Sequence, residues 1–386
     1  MTIKNLYPSV RPTLDLNFAQ TKQLDPRITF SRSSSGTYFD NTGVLRTASA
    51  NQARFDHDPV TGESLGLLIE AAGTNLVLDS VNMNGTGWGR GNGTITLSAI
   101  TSPDGVNPSY SWTNTQATGS FNYALITVAS STEYTFSFWY KAGSGRTAPR
   151  ISLYDATNAV FFDDGPSYST TTFPNGWHRL SYTFTSPATS TAVRVYVDRN
   201  AQETGTFYIW GVQVETGPFH TSYIPTAGST VTRAADVAQI TGANFSSWYN
   251  QSEGTLLTSI AASTVSNSCA WTISDGSANN RITSFTDNSS YSFYVVTGGS
   301  IQAQQAAGGY TKGARISAIG AYATNNFNYA RSGTALTADT LGTVPVVNQL
   351  RIMAGATGGN IETGTISRLA YYPVRLPDAT LQALTL

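Results

Sequence analysis

Three histidines, His57, His178 and His220, are where acid–base or metal chemistry would first be sought in this chain, and they stand in three unrelated motifs. His57 lies in Phe55-Asp-His-Asp58, where carboxylates flank an imidazole as in a metal site. Neighbours on a strand point to opposite faces, so the three side chains do not readily converge, and a structural turn is the better reading. His178 alternates onto one face with Leu180 and Tyr182, as a core or sheet-edge residue does. A hydrolase needs a base beside a nucleophile or two opposed carboxyl groups. Asp163-Asp164 precedes Gly165-Pro166, turn residues that place the pair in a solvated loop, away from the apolar pocket that raises an acid's pKa. Glu215 has no clustered carboxylates with which to hold calcium. Gly85-Thr-Gly-Trp-Gly-Arg-Gly-Asn-Gly93 lacks the strand-then-helix setting of a phosphate loop and reads as a flexible loop. Its Trp88 either plugs the end of a sandwich or stacks on a ligand. No catalytic residue, metal or cofactor is expected.

The remaining candidate is a surface, and strands must position it. Apolar residues alternate instead of recurring at three and four, and Gly or Asn punctuates the chain at short intervals, so the fold class is all-β. One helical turn is expected over Pro377–Leu384, with Leu381 and Leu384 spaced by three. Alternation points Tyr134, Phe136, Phe138, Tyr140, Ile151 and Leu153 inward, followed by Leu180, Tyr182, Phe184, Val193, Val195 and Val197. Each contributes roughly 1.5–3 kcal/mol when buried, enough together for an independent core. In Gly205–Glu215 the same rule puts Tyr208, Trp210, Val212 and Val214 on one face and Phe207, Ile209, Gly211, Gln213 and Glu215 on the other.

Outward positions on these strands are Trp139, Tyr154, Arg179, Arg194, Tyr196 and Asp198. Pyranose rings lay their C–H faces against aromatic rings, and sugar hydroxyls bond to Arg and Asp, so this set is a candidate glycan-binding surface. The competing reading packs Trp139 and Tyr196 under the N-terminal segment or against another subunit.

Charged residues make up 12% of the 386, against the usual ~25%, and aromatics 11%, the make-up of a turn-rich β protein. The length predicts two or three domains. A net charge of −1 provides no basic stripe for nucleic acid or an anionic membrane. Cys269 is the one cysteine, which excludes an intrachain disulfide and a cysteine-based metal cluster. Neither a secretory signal over Met1–Pro8 nor a membrane-spanning run is apparent, so no membrane insertion and a cytosolic site of assembly are expected.

The Gly205–Glu215 strand with Thr221-Ser-Tyr-Ile-Pro-Thr226, Ser102-Pro-Asp-Gly105, Tyr134-Thr-Phe-Ser-Phe-Trp-Tyr-Lys141 and Gly176-Trp-His-Arg179 resembles the carbohydrate-binding-module-like jelly roll of bacteriophage tail and head-fibre proteins, over residues 75–226. Asp25–Arg32, the hairpin Gly36–Leu45, Asn51–Gly62 and Leu65–Glu70 resemble the leader of such proteins, which covers residues 1–74 and implies strands that pair with or wrap around the module that follows. A connector is expected over 227–244, exposed over Ala227–Asp236. Residues 245–386 resemble a concanavalin-A-like or laminin-G-like sandwich, through Glu253–Ile260, Ala314–Tyr322, Gln349–Gly355 and Gly364–Pro373. Its Trp271, Tyr291, Phe293, Tyr310 and Tyr322 and the loop Asn325-Asn-Phe-Asn328 could face a ligand, but a packing role is at least as well supported.

Together these resemblances imply a non-enzymatic virion protein, a fibre, spike or decoration. It would assemble in the host cytoplasm as a homotrimer with other virion proteins and present glycan-binding modules to bacterial surface polysaccharide. A purely structural role is the alternative. A polysaccharide depolymerase is disfavoured by dispersed carboxylates and the lack of parallel β-helix repeats.

Overall fold

A computed structural model describes residues 9–263, 267–287, 290–309, 311 and 313–386. The fold is all-β, as the alternation predicts, and its described helices are the short Phe18–Thr21, Gly242–Ser246 and Asp378–Leu384. The last is the expected C-terminal turn, with Leu381 buried and Asp378 in its first turn, where the helix dipole favours an acid. No described helix is long and apolar enough to cross a membrane.

The middle of the chain folds as a two-layered antiparallel sandwich. One layer runs Ser169–Thr172, Trp177–Thr185, Glu133–Ala142, Gly205–Thr216, Pro108–Asn114, Gly93–Thr101. The other runs Val160–Asp164, Ser152–Asp155, Ala192–Arg199, Phe121–Thr127, Trp88–Gly91. Between them lie Phe136, Phe138, Ile151, Leu153, Leu180, Val193, Val195 and Val197, as the period of two requires. Gly205–Glu215 departs from it. Phe207 and Ile209 enter this core, and so do Val212 and Val214, while Trp210 turns to the opposite side with Tyr208. The switch occurs at Gly211, which holds φ at +62° and leaves two residues opposite one on the Glu133–Ala142 strand. Such a bulge exchanges faces, and only glycine takes this backbone without strain. A Cβ there would also stand 2.8 Å from the Trp139 ring.

The leader's hairpin wraps against the module that follows it, with Leu45 N–H donating to Pro103 O at 3.0 Å and Thr37 Oγ1–H to Tyr223 O at 2.7 Å, but the other leader strands pair elsewhere. Leu14–Leu16, Arg54–His57 and Ser64–Ile69 join an eight-stranded sheet with Glu253–Ala262, Arg315–Ala323 and Gly364–Tyr372. Thr29–Ser31 joins a seven-stranded sheet through Val237–Thr241. Leu14, Leu16, Phe18, Leu67 and Ile69 fill one core with Leu256, Ile273, Phe293, Leu350 and Leu369. The C-terminal sandwich is thus completed by the N-terminus, and the jelly roll is inserted between its parts. The connector is exposed over residues 227–232 as expected, but it is not free: Val231–Arg233 pairs with Gly73–Asn75 at the neck of the insertion, and Val237–Thr241 is an interior strand. Alternation in strands this short identifies buried positions but not partners hundreds of residues away.

At that neck five buried charges meet. Arg54 donates to Glu70 Oε2 at 2.7 Å and to Asp236 Oδ2 at 2.5 Å, Arg32 donates to Asp236 Oδ1 at 2.9 Å, and Arg233 lies 3.4 Å from Glu70. Ser222, at the jelly roll's exit, donates its N–H and Oγ–H to Glu70 at 2.8 and 2.6 Å. Burial raises the Glu70 carboxyl, but Arg233, Arg54 and the Ser222 donors outweigh it and hold its pKa at about 2.

Candidate functional site

The outer face of the five-stranded layer carries a continuous aromatic platform. Tyr123 pairs with Tyr196 across two strands, Tyr154 with Arg194 and with Phe161, and Phe121 with Arg199. Ring centroids lie 5.0 Å apart for Tyr123 and Tyr196, 5.8 Å for Tyr196 and Phe161, 4.8 Å for Phe161 and Tyr154, and 6.0 Å for Phe121 and Tyr123. The Arg194 guanidinium sits 4.8 Å from the Tyr123 ring and 5.1 Å from Tyr154, and Arg199 lies 3.7 Å from Phe161. Burial works against the Arg194 charge, yet Tyr196, Tyr123 and Tyr154 more than compensate and raise its pKa.

The Gly-rich stretch proves to be the edge of this platform and not a flexible loop. Trp88–Gly91 is a strand beside Phe121–Thr127. A Cβ at Gly89 would meet the Tyr123 ring at 2.4 Å and one at Gly91 the Phe121 ring at 2.6 Å, so the missing side chains let both rings lie across the strand. Trp88 packs against the core and donates Nε1–H to Asp79 O at 2.7 Å, a plug at the sandwich edge.

Asp163 and Asp164 lie in the strand Val160–Asp164 instead of a loop. Asp163 accepts from the Tyr182 hydroxyl, and Asp164 accepts from Arg150 at 2.8 Å and Arg199 at 2.9 Å. Burial raises the Asp164 pKa, but Ser152, Arg150 and Arg199 bring it to about 2. Both acids are therefore engaged at the rim.

Of the outward residues expected from alternation, Tyr154, Arg194 and Tyr196 meet on this platform. Trp139 and Arg179 do not: they lie on the outer face of the six-stranded layer, which the chain itself covers. Trp139 is 0% exposed, with Trp210 and Tyr223 edge-on at 5.3 and 5.7 Å and the Arg179 guanidinium at 4.3 Å. Leu45 of the leader hairpin joins this cluster, and Arg179 donates to Thr221 O at 3.1 Å. Packing under the N-terminal segment therefore holds for Trp139; Tyr196 is also buried, at 5% exposure, but by the rings of Phe121, Tyr123 and Phe161.

Asp198 is inside the sandwich. It accepts from Trp112 Nε1 at 2.8 Å, from Arg146 at 2.8 Å and from Arg150 N at 3.0 Å. The cause is a bulge at Val197, where Asn122 pairs with Asp198 but Tyr123 pairs with Tyr196. Past it the faces exchange, Asp198 turns in and Arg199 turns out. Phe121, Tyr123, Phe161 and Arg199 are platform residues that the alternation argument missed. Phe121 and Tyr123 were detectable as an alternating pair, whereas Arg199 depends on the bulge.

The histidines serve structure. His57 Nδ1 is 3.0 Å from Phe39 O, His178 stacks on Tyr140 with centroids 5.0 Å apart, and His220 Nδ1 is 3.1 Å from Ser181 Oγ. Glu215 is buried, which raises its pKa, and it accepts from Thr221 and Gln213. Among the described residues no three His, Cys, Asp or Glu side chains group as metal ligands. In the C-terminal sandwich Trp271, Tyr291, Phe293 and Tyr322 are core residues, Asn328 is buried, and Tyr310 lies outside the described residues.

Residues 77–203 match the family described as a carbohydrate binding domain, so the inserted jelly roll contains a carbohydrate-binding-module domain. No curated protein matches the chain. Among solved structures, the sialidase module CBM40 of Ruminococcus gnavus bound to α2,3-sialyllactose is 14% identical, covering 35% of this chain and 83% of that one at a TM-score of 0.31. Domain 4 of the arabinanase AbnA from Geobacillus stearothermophilus, in complex with arabinotriose, is 6% identical, covering 44% and 82% at 0.33. The tandem CBM22 modules of Paenibacillus barcinonensis Xyn10C are 10% identical, covering 79% and 99% at 0.31.

Proposed function

We propose that the five-stranded face of the jelly roll binds glycan chains, without cleaving them, and that the protein is a bacteriophage virion component that uses this face to hold bacterial surface polysaccharide. The observation that carries the binding is the half-exposed platform of Tyr123, Tyr154 and Phe161 with Arg194 among them, laid around Tyr196, which these rings bury to 5% exposure. Stacked rings offer apolar area to pyranose C–H faces, and Arg194 offers donors to hydroxyls or acids. Such a shallow face binds weakly. Several copies, as in a homotrimeric fibre or spike, raise avidity by ~10²–10⁴ without any new contact. The phage setting is supported by the leader and strand motifs of the sequence, and it includes contacts with other virion proteins.

The test is titration of the ¹⁵N-labelled chain with bacterial surface oligosaccharides, followed by NMR. Shifts confined to the Phe121–Thr127 and Ala192–Arg199 strands, lost in a Tyr123→Ala, Tyr154→Ala double variant of native fold, are the expected result. An unresponsive platform across oligosaccharides from several bacteria would leave a purely structural role. Release of reducing ends would reverse the non-enzymatic reading. Imaging of intact particles with an antibody to the chain checks the virion setting and its copy number.

A further inference from the structure

A second cleft opens on the other sandwich, on the outer face of its seven-stranded sheet. Arg351, Thr272, Thr283 and Tyr294 form one cross-strand row there. Phe285 stands beside the row, edge-on to Tyr294 with centroids 6.0 Å apart. The turn Gly355–Asn360 and the hairpin loop before Arg281 wall a space of about 420 Å³ above this floor, within the usual ~300–1,000 Å³ of ligand pockets.

The wall is preformed. Gly355 N–H donates to Gly359 O at 2.7 Å, Gly358 N–H donates to Gly355 O at 2.9 Å, and Arg351 Nε–H ties the turn down through Ala356 O at 3.2 Å. Its polar groups are unspent. Thr357 and Asn360 are exposed, and their side chains make no hydrogen bond among the described residues. Arg281 lines the cleft, donates only to Ala278 O and has no carboxylate partner among the described residues. Among the described residues no acid lines the space, and Glu362, whose charge reaches Cys269, is fully buried and accepts from Ser268 Oγ at 2.6 Å.

We infer that this cleft is a second ligand site, for a saccharide unit bearing a carboxylate. Phe285 and Tyr294 provide the apolar platform, Thr357 and Asn360 bond hydroxyls, and Arg281 takes the acid through its guanidinium fork. The site is independent of the jelly-roll face. Cys269, the chain's one cysteine, borders the lining but is buried, and burial raises its thiol pKa, so it alkylates only through local opening, which a bound ligand would suppress.

The experiment alkylates the intact chain with iodoacetamide in the presence of trigalacturonate or neutral galactotriose, and follows the Gly355 and Gly359 amide resonances in parallel. Trigalacturonate at millimolar concentration is expected to slow Cys269 alkylation several-fold and to shift both amides. The effect should persist in the Tyr123→Ala, Tyr154→Ala variant and need roughly tenfold more ligand in Arg281→Gln, as expected for loss of one charge-assisted contact. Amides that stay still with both sugars overturn the site, whatever the thiol does. Equal response to galactotriose overturns its preference for acid. Loss of the effect with the jelly-roll variant would mean that a single site on the jelly roll explains both observations, and would overturn the second site.

Discussion

The two outer faces of the jelly roll are built from the same chemistry and differ in what lies over them. On the six-stranded side Trp139, Trp210, Tyr223 and Arg179 make edge-on ring pairs and a cation–π contact under the leader hairpin and the Thr221–Thr226 segment. On the five-stranded side Tyr123, Tyr154, Phe161 and Arg194 make the same kinds of contact half-exposed, and Tyr196 is buried by these rings themselves and not by a returning segment. Aromatic rings with an arginine therefore do not by themselves mark a binding surface. What separates a core from a binding face is whether the chain returns to cover it, and only topology decides that.

The first way to break this contrast is to truncate a ring on each side. Trp139→Ala removes a fully buried indole and is expected to cost about 3–5 kcal/mol in denaturant unfolding of the intact chain. Its effect on glycan affinity should be nil wherever the variant remains folded. The cover itself is tied down by Glu70, which accepts both donors of Ser222. Glu70→Gln leaves Arg54 and Arg233 partly unpaired in a buried place and should cost about 3 kcal/mol. Glu70 titrates near 2 when folded against 4.5 in its ordinary state, so between those values the unfolded chain binds more protons. The stabilisation is thus complete above about pH 4.5 and fades as pH falls toward 2. Unfolding of wild type and variant across that range should converge at the acid end.

This contrast also shows how far the sequence could be read. Alternation identified the core of the uninterrupted strands, Phe136 and Phe138 or Val193 and Val195, because the side-chain period is fixed by backbone geometry. It failed at two bulges, Gly211 and Val197, where one extra residue exchanges the faces and sends Trp210 out and Asp198 in. It also could not separate Trp139 from Tyr196. Both alternate outward from the sandwich core, but the segment that buries Trp139 includes Leu45, some ninety residues away in the chain. The leader's partners were hidden for the same reason. Pairing of Leu14–Leu16 with Gly364–Tyr372 leaves no local trace.

On the open side the expected effects are smaller in stability and larger in binding. Tyr123→Ala should change unfolding by about 1 kcal/mol, the scale of its ring pairs with Phe121 and Tyr196, and weaken glycan binding three- to tenfold in calorimetry. Indole fluorescence should hardly respond to the same titration. Of the tryptophans only Trp88 is not buried, and it packs into the sandwich edge with its Nε1–H on Asp79 O.

Arg199→Gln is the mildest test and the one that examines the rim. Arg199 lies 3.7 Å from the Phe161 ring and bonds Asp164 at 2.9 Å, but Asp164 keeps Arg150 and Ser152 as donors when Arg199 is gone. Exposed cation–π contacts contribute about 0.5–1 kcal/mol and surface ion pairs about 0–1, so the expected loss in denaturant unfolding is 1 kcal/mol or less. The Asp164 pKa should rise while staying below its ordinary value, because its remaining donors still favour the charged form. Carbon-detected NMR of the carboxyl group reads that shift directly. A stability loss as large as that of Trp139→Ala would mean that the open face holds the fold together as the covered one does, and the distinction between a platform and a core would disappear.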